Sequence, residues 1–191
     1  HTANGDFLNH ITSQLEVRGY QFSYGLLQAA QHGVPQRRQR FFLVARRGQS
    51  VKSLTDVPTC PGEITVRDAI YDLPVLSNGD AQGYLPYRDV VTSAYARSLR
   101  HNLAECEGHL VTKNAQHIVE RYRHIPPGGN WESIPEHLMG TYKDRTRCHS
   151  GIYHRLEENR PSIVLGNFRK NMLIHPTHDR GLSVREAARI Q

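Results

Sequence analysis

The sequence predicts part of an α/β sheet domain interrupted by an irregular segment. Three observations predict it. Residues up to about Gly48 pass from helical to strand periodicity. The stretch from about 49 to 159 gathers most of the prolines and many glycines. After Arg160 the chain returns to an apolar strand pattern and a capped helix. With 191 residues, the chain has material for one ordinary domain, or one domain with an appendage.

The elements follow in order. Phe7, Leu8, Ile11 and Leu15 fall at helical spacing, and Gly19 stops that helix in the left-handed manner. Phe22, Tyr24 and Leu26 then alternate with polar or small residues, as in a half-buried strand. A loop through Gly33 and Pro35 leads to Phe41–Ala45, a continuous apolar run that predicts a buried strand bounded by arginines. Two helices are predicted in the middle zone. One spans Thr65–Tyr71, where Thr65 and Asp68 form a capping box; the other spans about Asn114–His124, with Ile118, Tyr122 and Ile125 on one side. The last zone opens on a predicted strand over Arg160–Leu165. It closes on a second capping box, Ser183-Val184-Arg185-Glu186. The chain lacks an initiator Met and stops about two turns into that helix, so truncation at both ends is expected.

Composition excludes several classes. No stretch approaches the ~20 apolar residues of a membrane helix, and the N-terminus lacks a secretory profile. Cys60, Cys106 and Cys148 are odd in number and form no CxxC pair, which argues against a disulfide framework and points to a reducing cytoplasm. Cys106 and His109 are the nearest thing to a metal-ligand pair, but no second pair has ligand spacing, so no metal is expected. Twenty-four Lys and Arg against 18 acids give +6. A pI near 9.4 suits a polyanion-binding domain, and equally a merely basic soluble protein.

Gly33-Val34-Pro35-Gln36-Arg37-Arg38-Gln39-Arg40 is the most informative stretch. Strand alternation points Arg38 and Arg40 the same way and Arg37 the other. Two guanidiniums at a sheet edge make a rigid donor array for carbonyl or phosphate oxygens; a solvated basic turn would also explain them. The run GVPQRRQRFFLVARR resembles the Gln-x-Arg-x-Arg motif of DNA (cytosine-5)-methyltransferases, with Gln36, Arg38 and Arg40 in register. RPSIVLGNF and HPTHDRGLSVREAARIQ look like the family's late motif, and ITVRDAIYDLP and RYRHIPPGGNWESIP like segments of its target-recognition half. The pieces occur in the family's order over nearly the whole chain.

The resemblance implies late strands of a doubly wound S-adenosylmethionine-dependent methyltransferase sheet with an inserted, irregular α+β target-recognition domain. Residues 1–48 would belong to the catalytic domain, 49–159 to target recognition, and 160–191 to the return. It implies methyl transfer from S-adenosylmethionine to C5 of a cytosine flipped out of duplex DNA. The expected site residues are Arg40, which matches the arginine that binds cytosine O2, with Arg38 and Gln36 of the same motif. The setting implied is bacterial, of restriction-modification or orphan type, cytoplasmic and nucleoid-associated. Lys143, Arg145, Thr146 and Arg147 are the candidate DNA contacts, with a solvated basic loop as the plainer reading. Gly128, Gly129 and Trp131 read as a structural turn with an anchoring aromatic. Asp179-Arg180 and Arg185-Glu186 are expected to hold domains together.

The match also has gaps. The family's nucleophile sits in a Pro-Cys dipeptide, and none occurs here; Glu-Asn-Val and a glycine-rich cofactor loop are absent too. The chain alone is therefore expected to be inactive, with most of the cofactor pocket outside it and a missing N-terminal catalytic segment, or a partner chain carrying it, to complete the enzyme. A non-catalytic DNA-binding subunit of a split methyltransferase and an RNA-directed cytosine-C5 methyltransferase are the alternatives.

Overall fold

Helix α1, Asp6–Val17, forms where the apolar residues repeat at helical spacing, and Gly19, at φ 77°, ends it by donating its N–H to the Glu16 carbonyl. The computed structural model describes residues 5–90, 92–140 and 152–191. Strand β1, Tyr20–Gln28, pairs antiparallel with β2, Gln39–Arg47, in a register running from Tyr20 opposite Arg47 to Gln28 opposite Gln39. The connection turns at Gly33, whose φ of 80° is open to glycine at little cost.

The hairpin corrects one expectation. Phe41, Phe42 and Val44 are 50%, 46% and 44% exposed, so the apolar run is not a buried strand among the described residues. A two-stranded sheet has two faces, and neither is fully covered. Leu26 lies opposite Phe41 and Tyr24 opposite Leu43 on the face that α1 partly shields through Phe7, Leu8 and Ile11. Phe42 and Val44 share the other face, where Val44 lines a cavity with the 50–58 segment and the Leu54 N–H donates to Ser23 Oγ at 3.0 Å.

From residue 65 onward the packing changes character. Helix α2, Val66–Ile70, starts at a true capping box: Thr65 accepts from the Asp68 N–H, and Asp68 accepts from the Thr65 N–H. Two short antiparallel ladders follow, β3, Ala81–Gln82, with β6, His109–Leu110, and β4, Leu85–Pro86, with β5, Glu105–Cys106. Between them lies α3, Ala94–Arg100, a helix the sequence pattern misses because Ala96 is its one buried residue and offers no apolar stripe. Ser93 starts it by accepting from the Ala96 N–H. Helix α4 spans Gln116–Arg123, and β7, His154–Arg155, runs parallel to β8, Leu173–Ile174. The expected strand over Arg160–Leu165 is not a ladder: its only pairing is an isolated parallel bridge between Ser162 and Gln36. Proline at 161 has no N–H to give to such a ladder.

Helix α5, Val184–Arg189, carries the second capping box, Ser183 with Glu186. Its Ala187 and the following Ile190 enter a core with Val66, Ala69, Ile70, Leu73, Cys106, Leu156, Leu165, Leu173 and Leu182. Residues from the middle and last zones thus share one core. A second cluster joins Tyr122, Ile125, Ile134, Met139, Tyr153 and Ile174, with Trp131 packed against it. Gly128, at φ 78°, and Gly129 form the turn beside Trp131, and the Gly128 N–H donates to the Arg155 carbonyl.

Candidate functional site

The Gln36–Arg40 segment leaves the Gly33–Pro35 turn and enters β2. The Arg37 N–H donates to the Ser162 carbonyl at 2.7 Å, and the Ser162 N–H to the Pro35 carbonyl at 2.9 Å. On the other side, the Ala29 N–H donates to the Arg38 carbonyl at 3.0 Å. The backbone ahead of the arginines is therefore clamped from both flanks. Gln36 is 1% exposed. Its Nε2 reaches the Ile190 carbonyl at 3.4 Å, and its Oε1 has no partner among the described residues.

The three arginines differ in what they do. Arg37 is exposed and pairs with Glu63 at 3.4 Å, a bond that exposure makes weak. The half-buried Arg38 has no side-chain hydrogen bond among the described residues. Arg40 is exposed and lies on the β2 face it shares with Phe42 and Val44; it gives one N–H to the Gln39 carbonyl at 2.7 Å, and its remaining donors take no partner there. The motif thus presents two guanidiniums, one of them entirely unengaged, on a fixed backbone.

Elsewhere arginines are engaged with carboxylates and carbonyls. Arg180, 2% exposed, meets both carboxylate oxygens of Glu186 at 2.7 and 2.8 Å and donates Nε to the Leu76 carbonyl. Arg155 donates to the carbonyls of Tyr122, Ile125, His175 and His178 and to Asp179 at 2.5 Å. Arg185 donates Nε to the Glu107 carbonyl. Asp179, Arg180 and Arg185 thus tie the last zone to the middle zone, while Glu186 holds Arg180 from within the last zone. The hub role of Arg155 had no local signal in the sequence.

Beside this network stand His175 and His178. The Thr177 N–H donates to Nδ1 of His175 at 3.2 Å, which makes that nitrogen an acceptor and leaves the ring proton on Nε2, 3.7 Å from Glu186. Burial pushes the His175 pKa down to about 3, against the attraction of Glu186. Burial alone would raise the Glu186 carboxyl, but hydrogen bonding and charge from Arg180 hold it below its ordinary value.

Lys143, Arg145, Thr146 and Arg147 lie outside the described residues, as does Cys148. Tyr153, Arg155 and Leu156 beyond them are core groups. Cys106 Sγ lies 3.5 Å from His109 Nε2, and among the described residues no three His, Cys, Asp or Glu gather as a metal site. No helix among these residues is long and apolar enough to cross a membrane. One cavity, of about 670 Å³, is lined by Phe7, Leu8, Ile11, Leu26, Phe41 and Leu43; another, of about 620 Å³, lies at Val44, Arg46, Lys52, Leu54 and Asp56; a third, of about 330 Å³, lies between α2 and α3, at Arg67, Asp68, Tyr71 and Asp72.

The chain is similar to several known proteins. The chain is 29% identical to "DNA (cytosine-5)-methyltransferase 1A" of Oryza sativa, over 95% of the chain and 15% of that protein. It is 27% identical to "Type II methylase M.HgiDII" of Herpetosiphon aurantiacus, over 98% of the chain and 49% of that protein. "Type II methyltransferase M.DdeI" of Desulfomicrobium norvegicum matches at 26%, over 95% and 46%. The chain therefore spans half or less of the length of these relatives. A crystal structure of a prophage-encoded DNA modification methyltransferase from E. coli superposes with a TM-score of 0.69 at 18% identity, over 99% of this chain and 55% of that one, which shows a shared fold. The model of the C-5 cytosine-specific DNA methylase family matches residues 1–191, from before α1 through the Gln36–Arg40 motif to the end of α5, and the chain belongs to that family.

Proposed function

We propose that this chain is the target-recognition and late catalytic portion of a DNA (cytosine-5)-methyltransferase acting on a specific duplex sequence. The observation that carries the reading is the pair Arg38 and Arg40: free donors on a clamped backbone in a chain whose buried arginines are all engaged. Arg40 donates to O2 of the flipped cytosine. That bond strengthens as a thiolate, from a Pro-Cys segment this chain's sequence does not contain, adds to C6 and negative charge spreads into the ring. Arg38 supports the same nucleotide. Lys143, Arg145, Thr146 and Arg147 contact the duplex, phosphates fixing register and base edges selecting the site. The hairpin belongs to the doubly wound sheet, residues 49–159 to recognition and 160–191 to the return.

Neither the cavity beside α1 nor that between α2 and α3 fits S-adenosylmethionine by itself. The one beside α1 is lined by apolar side chains and a glycine and has no side-chain partner for ribose hydroxyls or an amino-acid headgroup. Between α2 and α3, Asp68 Oδ2 is taken by the capping box and Asp72 Oδ2 by Arg100 and Arg189, while Asp72 Oδ1 is buried out of reach of a ligand. The exposed apolar faces of the hairpin, with Phe41 at 50% and Leu26 at 61%, support a complementary catalytic segment seated there, in the same polypeptide or a partner chain. Such an enzyme works in the cytoplasm on nucleoid DNA.

The test is a binding titration of this chain with duplex DNA and with tRNA. Duplex DNA is expected to bind better, with a log–log salt slope steepening by ~0.9 per phosphate neutralised. Preference for tRNA would favour the RNA-directed alternative; affinity unaffected by salt would contradict a nucleic-acid role for the basic excess.

A further inference from the structure

We propose that Gln36 is a positioning residue that fixes Arg38 and Arg40 by docking the hairpin onto the C-terminal end of α5, rather than a residue that touches the base. The inference rests on the methyltransferase reading above.

Among the described residues, the hydrogen bonds joining residues 5–47 to the elements from α2 onward all run through Pro35, Gln36 and Arg37. Ser23, Gln31, His32 and the Arg37 guanidinium reach only the segment between Leu54 and Glu63. The joint lies immediately before the arginine pair. A shift of this joint therefore moves Arg38 directly, and Arg40 one strand step later.

The partner of the Gln36 side chain lies in the main core. Ile190 is 0% exposed in the main core. The preceding Arg189 carbonyl accepts from Tyr95 Oη at 2.9 Å, and the Arg189 guanidinium reaches Asp72 at 3.4 Å and the Ala69 carbonyl at 3.3 Å. A helix leaves its last carbonyls without intrahelical donors. Here two side chains supply donors: Tyr95 to residue 189 and Gln36 to residue 190. Gln36 thus reads the position of α5, which shares its core with α2 and with Leu156 and Leu173 of the β7 and β8 region.

The amide is a poor choice for stability alone. Its Oε1 is buried with no partner among the described residues, and an apolar side chain of the same length would avoid that desolvation. What the amide adds is direction: a donor that places the Gln36 backbone at one distance from the end of α5. Burial at 1% exposure also leaves no path for a base to reach it in this arrangement.

The experiment uses the full-length enzyme and a double-mutant cycle of Gln36→Met with Arg40→Ala. Gln36→Met keeps the length and removes the donor. Alone it is expected to lower kcat about tenfold, in line with the rate cost of misplacing a reacting group, while KM for DNA stays within about twofold. In the Arg40→Ala background it is expected to cost less than about twofold more, because the residue it positions is gone. Gln36→Asn, which keeps the amide but falls short of Ile190, is expected to behave like Gln36→Met. Additive losses, a rise in KM with kcat unchanged, or unfolding of both Gln36 variants would overturn the proposal by assigning the amide a purely structural or binding role. Silent Arg40→Ala would overturn the functional reading itself, and the inference with it; damaging Arg40→Ala with additive Gln36→Met overturns the inference alone.

Discussion

Arg40 and Arg180 occupy opposite conditions in the same chain. Arg40 is exposed on a two-stranded hairpin whose apolar residues Phe41 and Phe42 are about half exposed, and most of its donors are unengaged. Arg180 is 2% exposed, held bidentately by Glu186, in a core shared by α2, α5 and the strands between. The difference teaches how one side-chain type is divided between two tasks. A guanidinium surrounded by carboxylate and carbonyl oxygens fixes a fold. One held by its backbone, with its head free, keeps its bonding capacity for a ligand.

The largest expected effect lies on the engaged side. Glu186→Ala leaves Arg180 buried without its counter-charge, and such losses run to about 3–5 kcal/mol. Urea unfolding of the 191-residue chain should show that loss, whereas Arg40→Ala should change stability by less than about 0.5 kcal/mol. Comparable losses from the two would erase the distinction.

Acid should act on the engaged side as well. His175 takes its proton at about 3 when folded and at 6.5 when free, so below pH 6.5 the unfolded chain binds a proton that the folded one refuses. Stability is therefore full above pH 6.5 and declines as pH falls toward 3, by an amount on the order of a few kcal/mol. Glu186, held low, adds a loss below its ordinary 4.5. A denaturation series from pH 7 to 4 checks this, and His175→Gln should flatten its upper part. Stability unchanged between pH 7 and 5 would contradict the buried neutral histidine.

The smallest effect belongs to the hairpin. Phe42→Ser should alter the stability of this chain by no more than about 0.5 kcal/mol, against roughly 2–5 kcal/mol for Leu173→Ala in the main core. In a polypeptide that also carries the complementary catalytic segment, Phe42→Ser should become costly. Equal effects in both settings would mean that nothing packs on that face.

What was legible in the sequence was local. Thr65 with Asp68 and Ser183 with Glu186 announce α2 and α5 because a capping box is complete within four residues. Gly19 announces the end of α1 in the same way. Helix α3 escaped notice because its single buried residue is an alanine. The strand expected over Arg160–Leu165 has an apolar pattern but only one bridge, and pairing depends on what the fold brings alongside. At the site, Gln36, Arg38 and Arg40 were visible as a motif. The burial of Gln36 against Ile190 was not, since its partner lies 154 positions away. Arg155 was equally opaque, because its partners reach from Tyr122 to Asp179.

The most direct test of the division between engaged and free arginines is the rate of methylation in the full-length enzyme with Arg40→Ala, beside Arg37→Ala as the control. An interaction that grows toward the transition state appears in kcat, and a duplex contact appears in affinity. Removing one preorganised donor is expected to lower kcat by ~10²–10³, about 3–4 kcal/mol, with DNA affinity nearly unchanged. Arg37, which faces Glu63, should cost little. A damaging Arg37→Ala with a nearly silent Arg40→Ala would contradict the account.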